Sequence, residues 1–386
     1  MSGHIRRRGE GSFEIKFDAG RDASGRRLTK YQSFKGSRKE AQAKLAELLS
    51  ESARGILVDT SKETLAEFAD RWDRDWSRHN VSPKTNERYQ QLIHNQIKRR
   101  PIGSMPVQRI RPVHLNAFYA ELLRAGGVAG GPLAALTVGH VHRLLRRMFG
   151  HAAQWGVITG NPVALISPPR VPHSEIEIIR EDEIRIVLNS LREKNPQLFM
   201  IATLALATGM RRGELCGLRW KDLKLDAGKV CIEQSIEQTK GSRLRIKQPK
   251  TKHGRRVISI PDTVVSELRT YWKVSQEQRL RLGMGRSEPH DLVFTKWDGS
   301  PRKPNTLTND WLRASKIIER RISLHALRHT HASSLIAAGV DILTISRRLG
   351  HADPKITLSV YGHLYGNTDD KAAQAVEAMF ARIGRE

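Results

Sequence analysis

The chain has 386 residues, 39% of them hydrophobic, which is enough for two or three cored domains of about 150 residues each. Lys plus Arg number 66 against 40 Asp plus Glu, a formal net charge of +26. Such an excess excludes an ordinary metabolic enzyme and points to a polyanion, nucleic acid first, without deciding between a plain binder and an enzyme. Two cysteines, Cys216 and Cys231, exclude a disulfide framework or a CxxC metal site, and no run approaches about 18 apolar residues. No apolar segment follows the basic residues 1–8, so neither signal peptide nor membrane span is expected, and a reducing cytoplasm fits.

Residues 1–58 read as a small basic unit. Phe13, Ile15 and Phe17 alternate with Glu14 and Lys16, the period of a strand. Asp22-Ala23-Ser24-Gly25 is a turn cluster, and residues 28–34 offer a second strand. Ser37 and Glu40 have capping-box spacing ahead of the helical stripe Ala41, Leu45, Leu48 and Leu49. Residues 1–45 hold twelve basic and five acidic side chains, a net of +7. A sheet backed by a helix with that charge suits a reader of a DNA groove, and equally a solvated cap.

Residues 62–166 are predicted to be all-helical. Thr64 and Glu67 form a second capping box before Leu65, Phe68 and Trp72. Ser82-Pro83 is an N-cap with proline at the first helical position, followed by Tyr89, Ile93 and Ile97. Leu115, Phe118, Tyr119 and Leu122 mark a third helix; Val138, Val141, Leu145, Met148 and Phe149 mark a fourth. Residues 167–174, rich in proline, form an extended linker and the sharpest domain boundary. Residues 175–386 are mostly helical with one strand-rich interruption at 230–232, 243–247 and 256–260, where His253-Gly254 is expected to turn a hairpin between the last two strands.

Three constellations in this last part carry chemistry. In Thr208-Gly209-Met210-Arg211-Arg212-Gly213-Glu214, Arg211 and Glu214 are three apart and can pair on a helical face, holding a guanidinium ready for bidentate phosphate recognition. Alone, such a pair is more often a structural ion pair. Lys250, in Pro249-Lys250-Thr251-Lys252, sits beside the expected turn and alone reads as a surface lysine. The third is Leu324-His325-Ala326-Leu327-Arg328-His329-Thr330-His331, a helix that Ala338-Gly339 stops. Asp341 caps a second helix that Gly350 ends, His351 follows, and Asp353-Pro354 caps a third helix carrying Tyr361. This run could bring His325, Arg328, His351 and Tyr361 together. Two arginines can neutralise a phosphodiester's non-bridging oxygens, two histidines can donate or shuttle protons, and nearby positive charge makes a phenol of pKa about 10 a usable nucleophile. No carboxylate cluster suited to Mg²⁺ lies beside them, so no metal or other cofactor is expected.

In order, Thr208-Gly209-x-Arg211-x-x-Glu214, Lys250-Thr251, His325-x-x-Arg328, Leu349-Gly350-His351 and Tyr361 resemble the motifs of the tyrosine recombinases, the integrases of temperate phages and conjugative elements. The resemblance implies a multidomain, mainly α fold with small β elements: a sheet-plus-helix arm-binding domain at 1–58, a helical SAM-like core-binding domain at 62–166, and a catalytic domain at 175–386 with a small antiparallel sheet and a tail helix. It implies a site-specific recombinase, independent of metal and ATP, acting through a 3′-phosphotyrosine link to integrate a mobile element. Arg211 and Arg328 would clamp the scissile phosphate, with Glu214 orienting Arg211. Lys250 would protonate the leaving 5′ oxygen, His325 would be base or proton relay, His351 a further phosphate donor and Tyr361 the nucleophile. Arg212 beside Arg211 and Tyr365 beyond Tyr361 remain neighbours of the same type; spacing from His351 favours Tyr361. The implied partners are duplex attachment sites of core and arm type, a homotetramer in synapsis, an excisionase and a host DNA-bending protein, all in a bacterial cytoplasm. Val376, Met379, Phe380 and Ile383 share one stripe of the tail helix, which docks either on its own domain or on a neighbouring subunit.

Three rivals explain less. A helix–turn–helix regulator would account for the charge and the turn at Gly339 but leave Arg211, Lys250 and Tyr361 unused. A metallohydrolase would need a glutamate where Ala326 follows His325. A topoisomerase would share the chemistry without a preferred sequence.

Overall fold

The computed structural model describes residues 3–21, 25–53, 58, 60–172, 176–239, 243–248, 254–364 and 369–383. The chain divides into two compact units, Met1–His173 and Ser174–Glu386.

The first unit opens with a three-stranded antiparallel sheet, β1 (Gly3–Gly9), β2 (Ser12–Arg21) and β3 (Arg27–Lys35), in that order. The last two strands are the ones periodicity predicts. The first is not legible as a strand, because Ile5 is the one large apolar residue in an otherwise basic run; it pairs opposite Ile15. Phe13, Ile15 and Phe17 are buried as their alternation requires, and Leu48 of helix α1 (Arg38–Ala53) closes a small core over Ile15 and Phe17. The predicted box starts α1: Glu40 Oε2 accepts from Ser37 N at 2.7 Å and Oγ at 2.9 Å, and Glu40 N–H donates to Ser37 Oγ at 3.3 Å. Of the turn cluster at 22–25, residues 22–24 lie outside the described residues.

The rest of this unit is helical. Thr64 and Glu67 make the complete capping box of α2 (Leu65–Trp72), and Ser82 caps α3 (Pro83–Leu92) with Pro83 in its first turn. Both helices run on into π-type turns, Asp73–Ser77 and Ile93–Lys98. With α4 (Pro112–Ala125) and α5 (Ala135–Gln154) they enclose a core that includes Phe68, Trp72, Ile97, Leu115, Val138 and Phe149. Arg143, Arg146 and Arg147 remain exposed on α5.

The second unit is built around α7 (Pro196–Thr208), which is apolar nearly all round and packs against α6 (Glu181–Lys194) before it in the chain. A helix so apolar must be covered on several sides. After α8 (Arg212–Gly217) come β4 (Leu223–Lys224), β5 (Lys229–Ile232), β6 (Ser235–Gln238), β7 (Leu244–Lys247) and β8 (Arg256–Ser259). Then follow α9 (Asp262–Arg281), α10 (Pro304–Ala314), α11 (Leu324–Ala337), α12 (Ile342–Leu349), α13 (Pro354–Tyr361) and α14 (Asp369–Ile383), with α9 and α11 also covering α7.

The strand pairing differs from the predicted hairpin. β7 pairs with β6, a strand the sequence reading did not predict, and β8 pairs with β5 in the order β4-β5-β8. Burial explains the choice. Val230 and Ile258 face each other inside the main core, whereas Ile246 on β7 is exposed, so β8 gains more beside β5 than beside β7. His253, assigned to the expected turn, lies outside the described residues. The class is as predicted, mainly α with small antiparallel sheets. Among the described residues no helix is long and apolar enough to cross a membrane.

One ion pair fastens α6 to the segment before α11. Glu183 is buried and accepts from Arg320 Nε at 2.7 Å and Nη2 at 2.6 Å, and Arg320 also donates to the carbonyl of Ile178 at 3.0 Å. The Arg320 hydrogen bonds, partly opposed by desolvation, pull the Glu183 carboxyl down to about 2. A carboxyl whose folded pKa lies below its ordinary 4.5 stabilises the fold above that pH, and the contribution fades as pH falls toward 2. Glu183→Gln is therefore expected to lower the thermal midpoint at neutral pH and to flatten its fall on acidification. An unchanged acid limb would remove Glu183 from the account.

Candidate active site

The site begins with two glycines. α7 ends at Gly209 in the left-handed conformation, φ 65°. A Cβ there would lie 2.7 Å from Leu349 Cδ2 and 2.8 Å from His331 Cδ2, so a side chain is excluded by strain and by space. α12 ends likewise at Gly350, φ 66°, where a Cβ would meet Arg256 Nη1 at 2.8 Å. These tight ends leave backbone carbonyls free to accept from side chains.

Arginines take them up. Arg211 sits at the N-cap of α8, and its Nη2 donates to the Gly350 carbonyl at 2.9 Å. Its pairing with Glu214 is as predicted: backbone N to Oε2 at 2.8 Å and Nη1 to Oε1 at 3.0 Å. Arg212 instead donates to Thr308 Oγ1 at 2.7 Å and does not join the Glu214 network. Arg328, on α11, is 2% exposed and donates to the carbonyls of Gly209 at 2.6 Å and Leu349 at 2.7 Å, and to His351 Nε2 at 2.9 Å. Because an arginine only donates, Nε2 of His351 accepts here, and its Nδ1–H is left to donate to Thr357 Oγ1 at 2.8 Å. Desolvation and then the charge of Arg328 push His351 down to about 4, so the ring is neutral at physiological pH. Donating to a phosphate through Nε2 would require the other tautomer.

Glu214 has a second partner that the sequence reading missed. Arg256, on β8, donates from Nη2 to Oε2 at 2.9 Å and from Nη1 to Oε1 at 3.1 Å, and its Nε donates to the carbonyl of Arg348 at 2.7 Å. Both side chains of the pair are 6% exposed. Burial alone would raise the Glu214 pKa; the hydrogen bonds and charge of Arg256, then the charge of Arg211, reverse this and hold it below the usual carboxylate range. The signal was present in the strand: Arg256 shares an inward face with Ile258, while Arg255, Val257 and Ser259 are exposed. Arg348 was missed too; it donates to His331 Nε2 and to the carbonyls of Ala207 and Ser259, tying α12 to α7 and β8.

Tyr361 is 1% exposed, packed among Ala332, Ile336, Ile345 and Leu349. Its hydroxyl lies 2.8 Å from His329 Nδ1. Burial pushes the phenol up to about 12 against the lowering pull of Arg328, so it is protonated in this state. His325, one turn before Arg328, is exposed and rests edge-on against the His329 ring at 4.6 Å. Desolvation, then the charges of His329, Arg328 and Arg211, lower it to about 4. Arg328 is pressed down by burial and by Arg211 to about 9 and stays cationic at neutral pH.

Of the predicted set, then, Arg211, Glu214, Arg328 and His351 share one hydrogen-bonded network, and Tyr361 joins α11 through His329, with His325 beside it. Lys250 and Tyr365 lie outside the described residues. The network concentrates guanidinium groups with a single buried carboxylate as counter-charge, an arrangement that would bind a phosphodiester and stabilise charge developing on it.

Comparison with known proteins follows the same division of the chain. Residues 177–367 match a model of the phage integrase family, and residues 64–123 match a phage integrase N-terminal SAM-like domain. The chain is similar to a XerC-like tyrosine recombinase of Caldanaerobacter subterraneus subsp. tengcongensis, 27% identical over 96% of this chain and 97% of that one. It is 26% identical to the ICEBs1 integrase of Bacillus subtilis over 71% and 72% of the two chains. Its fold is similar to that of the Tn1549 transposon integrase solved with a circular-intermediate DNA, with a TM-score of 0.66 at 20% identity over 82% of this chain and 99% of that one. A lambda integrase tetramer bound to a Holliday junction gives 0.55 at 19% identity over 90% and 92%.

Arg256→Met is expected to leave Glu214 buried beside one guanidinium instead of two, costing about 3 kcal/mol in denaturant melts. Arg256→Lys should recover less than half, since an ammonium cannot replace a bidentate fork. Equal stability of both variants and the parent chain would show that Arg211 alone suffices for the carboxylate.

Proposed function

This chain belongs to the tyrosine recombinase family, the phage-type integrases, and is a DNA breaking-and-rejoining enzyme; on that premise we propose which residues do the chemistry and on what DNA. Arg211 and Arg328 hold the non-bridging oxygens of the scissile phosphate, and Glu214 keeps Arg211 in place. Tyr361 Oη attacks phosphorus, the bond to the 5′ oxygen breaks, and Lys250 supplies the proton that the leaving oxygen takes. His351, once its hydrogen has moved to Nε2, donates a further hydrogen bond to the phosphate, and His325 moves protons. The 3′-phosphotyrosine conserves the phosphodiester's free energy, so the 5′ hydroxyl of a new strand can attack it without ATP. Neutralisation of charge by guanidiniums takes the part that metal ions play in many nucleases, and no cofactor is required.

The observation that supports this most is the joining of Arg211, Glu214, Arg328 and His351 through glycine-ended turns, with the Tyr361 hydroxyl bonded to the residue next to Arg328. The substrates are duplex attachment sites, read in three parts: residues 62–166 grip the core site with the catalytic domain at 175–386, and the sheet of residues 1–58 reads arm sites. The working assembly is a homotetramer on two duplexes in a bacterial cytoplasm, aided by an excisionase and a host DNA-bending protein. The net +26 supports a large phosphate footprint.

Tyr361→Phe should abolish covalent protein–DNA adduct on a nicked suicide duplex while leaving affinity for that duplex intact. An adduct recovered from the variant would move the nucleophile elsewhere, Tyr365 first. Removal of residues 1–58 should spare cleavage of a core duplex but reduce integration into a full attachment site by at least about tenfold, the loss of one DNA-binding module. Integration at the full rate would leave the amino-terminal sheet without a DNA role.

A further inference from the structure

The Tyr361 phenol carries a proton that must leave as its oxygen attacks, and its surroundings restrict where that proton can go. The ring is 1% exposed, so bulk water does not serve the hydroxyl directly. Among the described residues the one hydrogen-bond partner of Oη is His329 Nδ1, at 2.8 Å. The direction of that bond follows from the inventory of donors. If Nδ1 carried a hydrogen and donated, the buried phenolic O–H would have no described acceptor, which is a costly arrangement. With Nδ1 bare, the O–H donates to it and both groups are satisfied.

Resting on the reading of Tyr361 as nucleophile, we propose that His329 is a catalytic residue: its Nδ1 accepts the Tyr361 proton as the phosphorus–Oη bond forms and the bond to the 5′ oxygen breaks. The proton on the leaving oxygen comes from a separate acid, Lys250. In the rejoining step the roles reverse. The incoming 5′ hydroxyl gives its proton to the now neutral Lys250 as its oxygen bonds phosphorus, the phosphorus–Oη bond breaks, and His329 returns its proton to the phenolate.

The groups facing the imidazole make this assignment conditional on substrate. On its own helix lie the cation Arg328 and the edge-on ring of His325, at 4.6 Å; Glu177, from the segment before α6, faces it too, and Tyr361 is presented by α13. In the free protein desolvation and Arg328 lower the His329 pKa while Glu177 raises it, leaving a neutral ring able to accept. A phosphodiester anion held by Arg328 would offset that positive charge, so the base strengthens when the scissile group is in place. His325, which is exposed, packs edge-on against the His329 ring. This separates the two histidines: His329 meets the nucleophile, and His325 relays.

The test uses the full chain and nicked duplexes tiled across the DNA flanking its own gene, with single-turnover adduct formation followed from about pH 5 to about pH 8, a range that brackets the ordinary imidazole pKa of about 6.5. His329→Gln keeps a polar side chain of similar reach that does not titrate. It should slow adduct formation by about 100-fold at neutral pH, flatten the acid limb of the profile, and bind DNA within about twofold of the parent. The defect should persist on a duplex with a sulfur at the 5′ bridging position, whose leaving group needs no acid. A variant that forms adduct on Tyr361 at the parent rate and with the parent pH profile overturns the inference and leaves the nucleophile reading intact. Faster cleavage by the variant also overturns it, making His329 a restraint on the phenol. Parent adduct mapped by mass spectrometry to another tyrosine, or found on none of the duplexes, sinks both. Independently of folding of any variant, ¹⁵N spectra of the parent should show His329 protonated at Nε2; protonation at Nδ1 in the neutral ring overturns the proposal.

Discussion

A site that binds phosphate must gather positive charge, and gathered positive charge pushes itself apart. The solution here is one carboxylate, Glu214, buried between Arg211 and Arg256 and bonded to both. Without it, guanidiniums on α8 and β8 would face each other unbalanced in a region shielded from water, where Coulomb repulsion is poorly screened. Among the described residues Arg328 pairs with no carboxylate; the carbonyls of Gly209 and Leu349 share its charge instead. The division leaves the Arg211 side chain 41% exposed, while Arg328 is the buried anchor.

The same economy explains why glycine stands at both turns. The carbonyls that receive Arg211 and Arg328 belong to Gly350 and Gly209, and each can be reached only because the chain there turns left-handed with no side chain in the way. Helix ends, a loop and a strand thereby act as one cradle. Thr357 extends it by accepting from His351 Nδ1–H, in the tautomer that Arg328 sets, and Arg348 fixes α12 against β8 through Ser259.

Much of this was legible in the sequence, and the parts that were not share a cause. Caps and periodicity located α1, α2, α3, α12 and α13 because those signals are local: Thr64 with Glu67, Ser82 with Pro83, Asp341, and Asp353 with Pro354 each act within one turn. The pairing of Arg211 with Glu214 was local in the same way. Strand partners were not, since β5 and β8 are matched by burial in a common core rather than by the turn between neighbours. Arg256 escaped notice because its worth depends on Glu214, 42 residues earlier. His329 was visible only as a histidine one turn after His325; its contact with Tyr361 spans 32 residues and depends on how α13 folds back.

Those separations carry a consequence for the life of the chain. The bonds that complete the cradle link residues 119 and 139 positions apart, Arg328 to Gly209 and Arg211 to Gly350. Loops of that span close late, after local helices have formed. A nascent or partly unfolded molecule can carry most of its positive surface and attract DNA, yet it has no assembled centre with which to cut. DNA breakage is thereby reserved for molecules whose folding is finished.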